Sequence, residues 1–138
     1  TATAGDRDRN HADASRRVLL VDDEPGVLDV TARLLESMGY TVLRAHGGGE
    51  ALRLAAEDGE GVLAAIVDLS MPEMDGRSTS RQLHELRPNL PILLSSGGND
   101  SPACDGVPGV VGFVAKPYRL GDLRDALADA IRDRGETR

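Results

Sequence analysis

The chain has 138 residues, enough for one domain with a buried core. Its net charge of -7 argues against a nucleic-acid face, which needs clustered Lys and Arg, and favours a cation site or a basic partner. No apolar run approaches the ~18–20 residues of a membrane span, no secretory signal is visible, and a single cysteine, Cys104, excludes an internal disulfide framework, so a reducing, cytoplasmic setting is expected.

Residues 1–15, TATAGDRDRNHADAS, are polar and aperiodic and read as a linker or cloning remnant. Order begins with Arg17 to Val21, a continuous aliphatic run suited to a strand buried on both faces. Pro25 suits the first turn of a helix; Val27, Thr31, Leu34, Leu35 and Met38 recur at helical spacing, and Gly39 supplies a C-cap. Tyr40 to Ala45 is a second strand. Gly49 to Glu57 is a second helix, with Ala51, Leu52, Leu54 and Ala55 as its apolar side. Val62 to Val67 is a third apolar strand. Residues 75–86 carry only a weak helical pattern, because Ser78, Thr79 and Ser80 are poor helix formers.

Pro91 to Ser95 is a fourth strand and Val110 to Ala115 a fifth. Between them, GGNDSPACDGVPGV holds two prolines and four glycines, so the fourth helix is expected to be short or irregular. Leu120, Leu123, Leu127, Ala130 and Ile131 form an amphipathic last helix. Apolar strands alternating with helices specify an α/β fold of the (βα)5 kind, a five-stranded parallel sheet covered on both faces. Ligands bind such sheets beyond the C-terminal strand ends.

The residues at those ends share a chemistry. Asp22, Asp23 and Glu24 follow the first strand, Asp68 the third, Ser96 the fourth, and Lys116-Pro117 the fifth. Converging carboxylates need a counter-charge. A hard divalent cation such as Mg2+ supplies one, and is typically held together with a phosphate. Lysine suits a phosphate oxygen, and an aspartate can act as nucleophile. Each residue alone has an ordinary explanation: helix-start acids, a turn aspartate, a loop serine, a surface lysine. Four strand ends each contributing a phosphoryl-chemistry residue, one of them the chain's only lysine among fifteen arginines, favours a phosphoryl site.

The strings VLLVDDEPGV, IVDLSMPEMDG, PILLSSGG and GFVAKPY resemble the receiver domain of bacterial two-component response regulators, in the same order and with similar spacing. The resemblance covers residues 16–134, leaving 135–138 as a tail. It implies the flavodoxin-like strand order 2-1-3-4-5. It implies that Asp68 accepts a phosphoryl group from the phosphohistidine of a kinase or phosphotransfer partner. Asp22, Asp23, Asp68 and the backbone carbonyl of Ser70 would hold Mg2+, and Lys116 would pair with the phosphoryl group. Ser96 and Phe113 would be the switch residues, and the Lys116-Pro117 bond would be cis. Ser96 is preferred to Ser95 because it lies five residues after Pro91 and strand alternation turns Ser95 the other way.

The family catalyses its own phosphotransfer and dephosphorylation without a separate substrate. A downstream protein would dock on the face made by the fourth helix, fifth strand and fifth helix, and a weak homodimer is allowed. Neither nucleic acid nor membrane is an expected partner. The Ser-Ser-Gly string favours a hybrid sensor histidine kinase as the parent. Two rivals are an aspartate-nucleophile phosphatase of the haloacid dehalogenase type and a pseudo-receiver without phosphorylation. The first expects an acid where Ser70 stands. The second expects the loss of Asp23, Asp68 or Lys116, and all three are present.

Overall fold

The computed structural model describes residues 16–58, 61–71, 74–97 and 107–136. Five strands, β1 (Arg17–Val21), β2 (Thr41–Ala45), β3 (Val62–Asp68), β4 (Ile92–Ser96) and β5 (Val110–Ala115), form one sheet in the order β2-β1-β3-β4-β5. Every pairing is parallel. Among the described residues four helices connect or follow the strands: α1 (Pro25–Ser37), α2 (Gly48–Asp58), α3 (Gly76–Leu86) and α4 (Leu120–Glu136). The short helix expected between β4 and β5 falls mainly on residues 98–106, outside the described residues.

Strand alternation divides the core in two. Leu19 and Val21 of β1, with Ala65, Val67 and Leu94, pack against Ala51 and Ala55 of α2 and Leu83 of α3. Val18 and Leu20, with Ala64, Ile66, Leu93 and Val114, pack against Leu28, Ala32 and Leu35 of α1 and Leu123, Leu127 and Ala130 of α4. A sheet buried on both faces explains why β1 and β3 read as unbroken apolar runs.

The helix faces differ in detail from the periodic pattern. In α1 the buried set is Leu28, Thr31, Ala32 and Leu35, while Val27, Leu34 and Met38 are only half-buried. Ala32 is fully buried beneath the helix, where a small side chain allows close approach to the sheet. In α2, Ala51 and Ala55 are buried while Leu52 and Leu54 flank them. Leu120 is 44% exposed, so the buried stripe of α4 begins at Leu123.

The weak stretch before β4 forms three turns of helix. Asp75 caps it, its Oδ1 accepting the Ser78 backbone N–H at 2.8 Å, and Thr79, Ser80 and Leu83 are buried beneath it. Capping and burial together overcome poor propensity. Arg87, just past its end, donates from Nε to the Ala55 carbonyl at 3.1 Å, tying this helix to α2.

Gly76 opens α3 against the end of β3. A Cβ there would lie 2.8 Å from the Leu69 Cα and closer still to the Asp68 carbonyl oxygen, both backbone atoms that cannot swing aside. Gly76→Ala is therefore expected to cost about 1–3 kcal/mol, the typical penalty of overpacking. Urea unfolding measures the loss, and the backbone amide signals of Asp68 and Leu69 should move first.

Candidate functional site

Strand order reverses between β1 and β3, and the C-terminal ends of these two strands carry the acids. Asp22 follows β1, and its backbone N–H donates to the Ala45 carbonyl at 3.1 Å, extending the pairing with β2 by one residue. Its side chain is 2% exposed. Asp68 is the last residue of β3 and 3% exposed. Asp23 is half-buried beside them. Asp22, Asp23 and Asp68 can each present an oxygen such that all three lie within 4.8 Å of one another.

Lys116 reaches this cluster from the end of β5. Its Nζ lies 2.7 Å from Asp22 Oδ2 and 3.3 Å from Asp68 Oδ1. The shorter contact is with Asp22, a pairing the sequence does not announce. Its backbone N–H donates to the Ser96 carbonyl at 2.9 Å, and the Lys116-Pro117 peptide bond is cis. The remaining carboxylate contacts are local: Asp22 Oδ1 accepts the Glu24 N–H at 3.0 Å, and Asp68 Oδ1 accepts the Ser70 N–H at 3.3 Å.

Burial raises the Asp68 pKa; Lys116 opposes this, the Asp22 charge adds to it, and the carboxyl stays above its ordinary value. Burial alone would lower Lys116. The hydrogen bond and charge of Asp22, with the charge of Asp68, outweigh that and hold the ammonium more firmly protonated than a free lysine. Three carboxylates against one ammonium leave a formal charge of -2.

Ser96 ends β4 and is 3% exposed. Its β5 neighbour in register is Ala115, and Leu94, two residues earlier, pairs with Phe113. Ser96 and Phe113 therefore share one sheet face, and Phe113 is half-buried against the α2–α3 side of the core. Ser95, paired in register with Asp68, faces the other side and is fully buried. Ser70 is exposed just beyond Asp68.

Sequence reasoning passed over Tyr118. The signal was available, since it is one of two tyrosines and stands two residues after the only lysine. Burial pushes its phenol up to about 12, against smaller opposing effects of Ser95 and Lys116. With no tryptophan in the chain, ultraviolet titration reads the two phenols directly. One should ionise near 12, and that step should vanish in Tyr118→Phe. The sign follows from linkage. The contribution of neutral Tyr118 is complete below the unfolded phenol value of about 10 and is lost as pH rises through the folded one.

Two open grooves flank the cluster. One, of about 730 Å³, runs along α1 past Val27, Val30 and Leu34 to Lys116, Pro117 and Tyr118. The other, of about 700 Å³, lies between Asp23, His46 to Glu50, and Met71 and Met74.

A family model described as the response regulator receiver domain matches residues 18–128. The chain belongs to this family. The receiver is 38% identical over 120 residues to the response regulator MprA of Mycobacterium ulcerans, covering 86% of this chain and 51% of that protein. It is 35% identical over 119 residues to the sensor kinase CckA of Brucella abortus, covering 85% of this chain and 13% of that protein. The chain thus spans about half of the first relative and a small part of the second. Among solved structures, a receiver domain from Clostridium thermocellum matches with a TM-score of 0.81 at 27% identity, over 88% of this chain and 98% of the other. The receiver domain of the hybrid histidine kinase CckA matches with a TM-score of 0.71 at 32% identity, over 83% and 98%. The receiver fold and the two-component family follow from these findings together with the strand order. Among the described residues no helix is long and apolar enough to cross a membrane.

The donor set suits Mg2+. It is hard, all-oxygen and anionic, and opposite ligands of an octahedral Mg2+ stand about 4.2 Å apart. A spread of up to 4.8 Å is slightly wider than that span, so the set would hold one ion after a small closing of the carboxylates or with one of them acting through a water. Such an ion would bring the formal charge of the cluster to zero.

Proposed function

We propose that this receiver takes a phosphoryl group from a phosphohistidine onto Asp68 and changes its signalling surface in response. The observation that carries the reading is the meeting of Asp22, Asp23 and Asp68 within 4.8 Å, with the Lys116 ammonium on Asp22 and Asp68. Asp22, Asp23, Asp68 and the Ser70 carbonyl would hold Mg2+. When bound, the ion supplies charge neutralisation for a phosphoryl transfer. Asp68 is the nucleophile: its carboxylate oxygen attacks phosphorus as the bond to the histidine nitrogen breaks, leaving an acyl phosphate. Lys116 holds an oxygen of the transferred group. Hydrolysis returns Asp68 and frees phosphate.

Ser96 then donates its hydroxyl to the acquired oxygens, and Phe113, on the same sheet face, moves into the space that opens. The altered face includes β5 and α4 and reaches a downstream protein. This is a local electrostatic event biasing a two-state element. The donor is a histidine kinase or a histidine phosphotransfer domain. Likeness to a region of a sensor kinase supports a hybrid kinase as one parent architecture, and likeness to MprA supports a longer regulator as another.

The test is incubation of the protein with acetyl phosphate, with and without Mg2+, followed by intact and peptide mass measurement. One phosphoryl group should appear, on the peptide containing Asp68, only with Mg2+. A label on another residue, or none at all, defeats the proposal.

A further inference from the structure

Two of the chain's three methionines, Met71 and Met74, line the groove that Asp23 also borders. The third, Met38, packs against the α1–α4 side of the core. Met71 is buried in the α2–α3 core cluster, whereas Met74 is only half-buried at the groove wall. Met74 is therefore the thioether that a small reagent in the groove meets first.

The Met74 sulfur stands where two helices begin. Gly48 is the first residue of α2, and a Cβ added there would lie 2.6 Å from Met74 Sδ and 2.5 Å from Thr79 Oγ1. The bare glycine lets the start of α2 close on the sulfur and on α3 together. Gln82 of α3 reaches the same atom, its Nε2 donating to Sδ at 3.6 Å. A thioether is a weak acceptor, and the first turn of α2 adds backbone N–H groups without partners inside the helix. The surroundings thus offer more donors than this sulfur can use.

The same segment is tied to the acids. Asp75 follows Met74 and caps α3, with Thr79 Oγ1 donating to the Asp75 carbonyl at 2.9 Å. The Gly76 N–H then donates to the Leu69 carbonyl at 3.1 Å. Leu69 lies between Asp68 and Ser70, so a displacement at Met74 has a two-residue path to the end of β3.

We propose that Met74 is a methionine oxidation site, taking an oxygen atom from a peroxide, and that its sulfoxide weakens Mg2+ binding at the neighbouring acids. The sulfur lone pair attacks one peroxide oxygen and the O–O bond breaks. The proton on the attacked oxygen passes to the departing hydroxide, which leaves as water. Sulfur is oxidised by two electrons and the peroxide is reduced. Gly48 and Thr79 close one side of the sulfur, so the oxygen is added from the groove and one sulfoxide epimer dominates. The new oxygen is a polar group in place of an apolar contact. It draws the Gln82 amide and prises the start of α2 from the segment that leads back to Ser70. The effect on Mg2+ rests on the phosphoryl-site reading; the oxidation does not.

The test uses limiting hydrogen peroxide on a Cys104→Ser background, so that methionine alone takes up oxygen. Peptide mass mapping should find Met74 oxidised before Met38 and Met71. The backbone amide signals of Gly48 and Gly49 should move as the sulfoxide forms, without Mg2+ present. A Mg2+ titration followed by the Asp23 and Asp68 amides should then show affinity reduced by roughly tenfold, the low end for changes beside metal ligands. A sulfoxide reductase specific for one epimer should restore it, and the enzyme for the other epimer should not. Met74→Gln should weaken Mg2+ without peroxide, while Met74→Leu should bind Mg2+ as before and lose the peroxide effect. Earlier oxidation of Met38 or Met71, or a Met74 sulfoxide that leaves Mg2+ affinity unchanged, overturns the proposal. Should either variant fail to fold, the mapping, the glycine amides and the reductase pair decide it on the parent protein. If the untreated protein shows no Mg2+ shift, the function above fails, while the order of oxidation and the glycine amides still decide the site.

Discussion

Asp68→Asn is expected to abolish phosphoryl uptake, by roughly 10³-fold or more, since an amide offers no anionic nucleophile to phosphorus. Mass measurement after incubation with acetyl phosphate and Mg2+ should find the variant unmodified. The same substitution should raise stability when Mg2+ is absent. Burial and the Asp22 charge hold the Asp68 carboxyl above its usual range, so its ionised form opposes folding at neutral pH. The sign is that of a raised carboxyl. In wild type its penalty is absent below the unfolded value of about 3.9 and grows as pH rises through the folded one. The amide side chain of the variant has no such titration, so its urea unfolding should show a flatter pH profile. Removing one of three carboxylates should also weaken Mg2+ binding, by roughly tenfold, because affinity follows the charge of the ligand set. Uptake without stabilisation would show that Asp68 is neither the acceptor nor the strained acid.

Lys116→Met should have the largest effect on the unliganded fold. It removes the only cation contacting Asp22 and Asp68 among the described contacts and leaves two carboxylates that are 2% and 4% exposed. Breaking a buried pair from one side costs about 3–5 kcal/mol; the open rim of this site puts the expected loss near 3 kcal/mol at pH 7. Two recoveries distinguish this cause from damaged packing. Acidification should narrow the gap to wild type, because the Asp68 carboxyl, already held above its ordinary value, takes up a proton and no longer needs the ammonium. Mg2+ should stabilise the variant more than wild type, because a second cation replaces the missing one; unfolding curves at increasing Mg2+ measure the difference. Phosphoryl uptake should fall in parallel, as the transferred group loses its lysine partner. A deficit unaffected by both acid and Mg2+ would assign Lys116 a packing role instead.

Much of the site was legible because strand ends in a parallel sheet lie on one rim. Once Arg17–Val21 and Val62–Val67 were read as strands, and the family resemblance implied that they lie side by side, Asp22, Asp23 and Asp68 were expected to converge. That Ser95 and Ser96 face opposite sides was likewise legible from alternation, and the register of β4 on β5 places them so. Side-chain partners were not legible in this way. The 2.7 Å contact of Lys116 with Asp22 joins residues 94 apart, and only the register of five strands brings them together. The need for glycine at 76 shows the same limit. Asp75-Gly76 reads only as the start of a weak helical stretch, but the true constraint at position 76 is the Asp68 backbone packed against that Cα. The α3 segment was undervalued because propensity is local, whereas Asp75 capping and the burial of Thr79, Ser80 and Leu83 supplied what it lacked.

By itself, then, the sequence determined the layered α/β architecture and the set of residues at its rim. Period-2 and period-3.6 hydrophobic patterns are local properties, and a parallel sheet converts them into position without further information. Tertiary structure alone decided which carboxylate Lys116 holds, which helix residues meet the sheet, and that Tyr118 lines one groove together with that lysine. Those outcomes depend on register, helix approach and burial, which arise only when distant segments pack together.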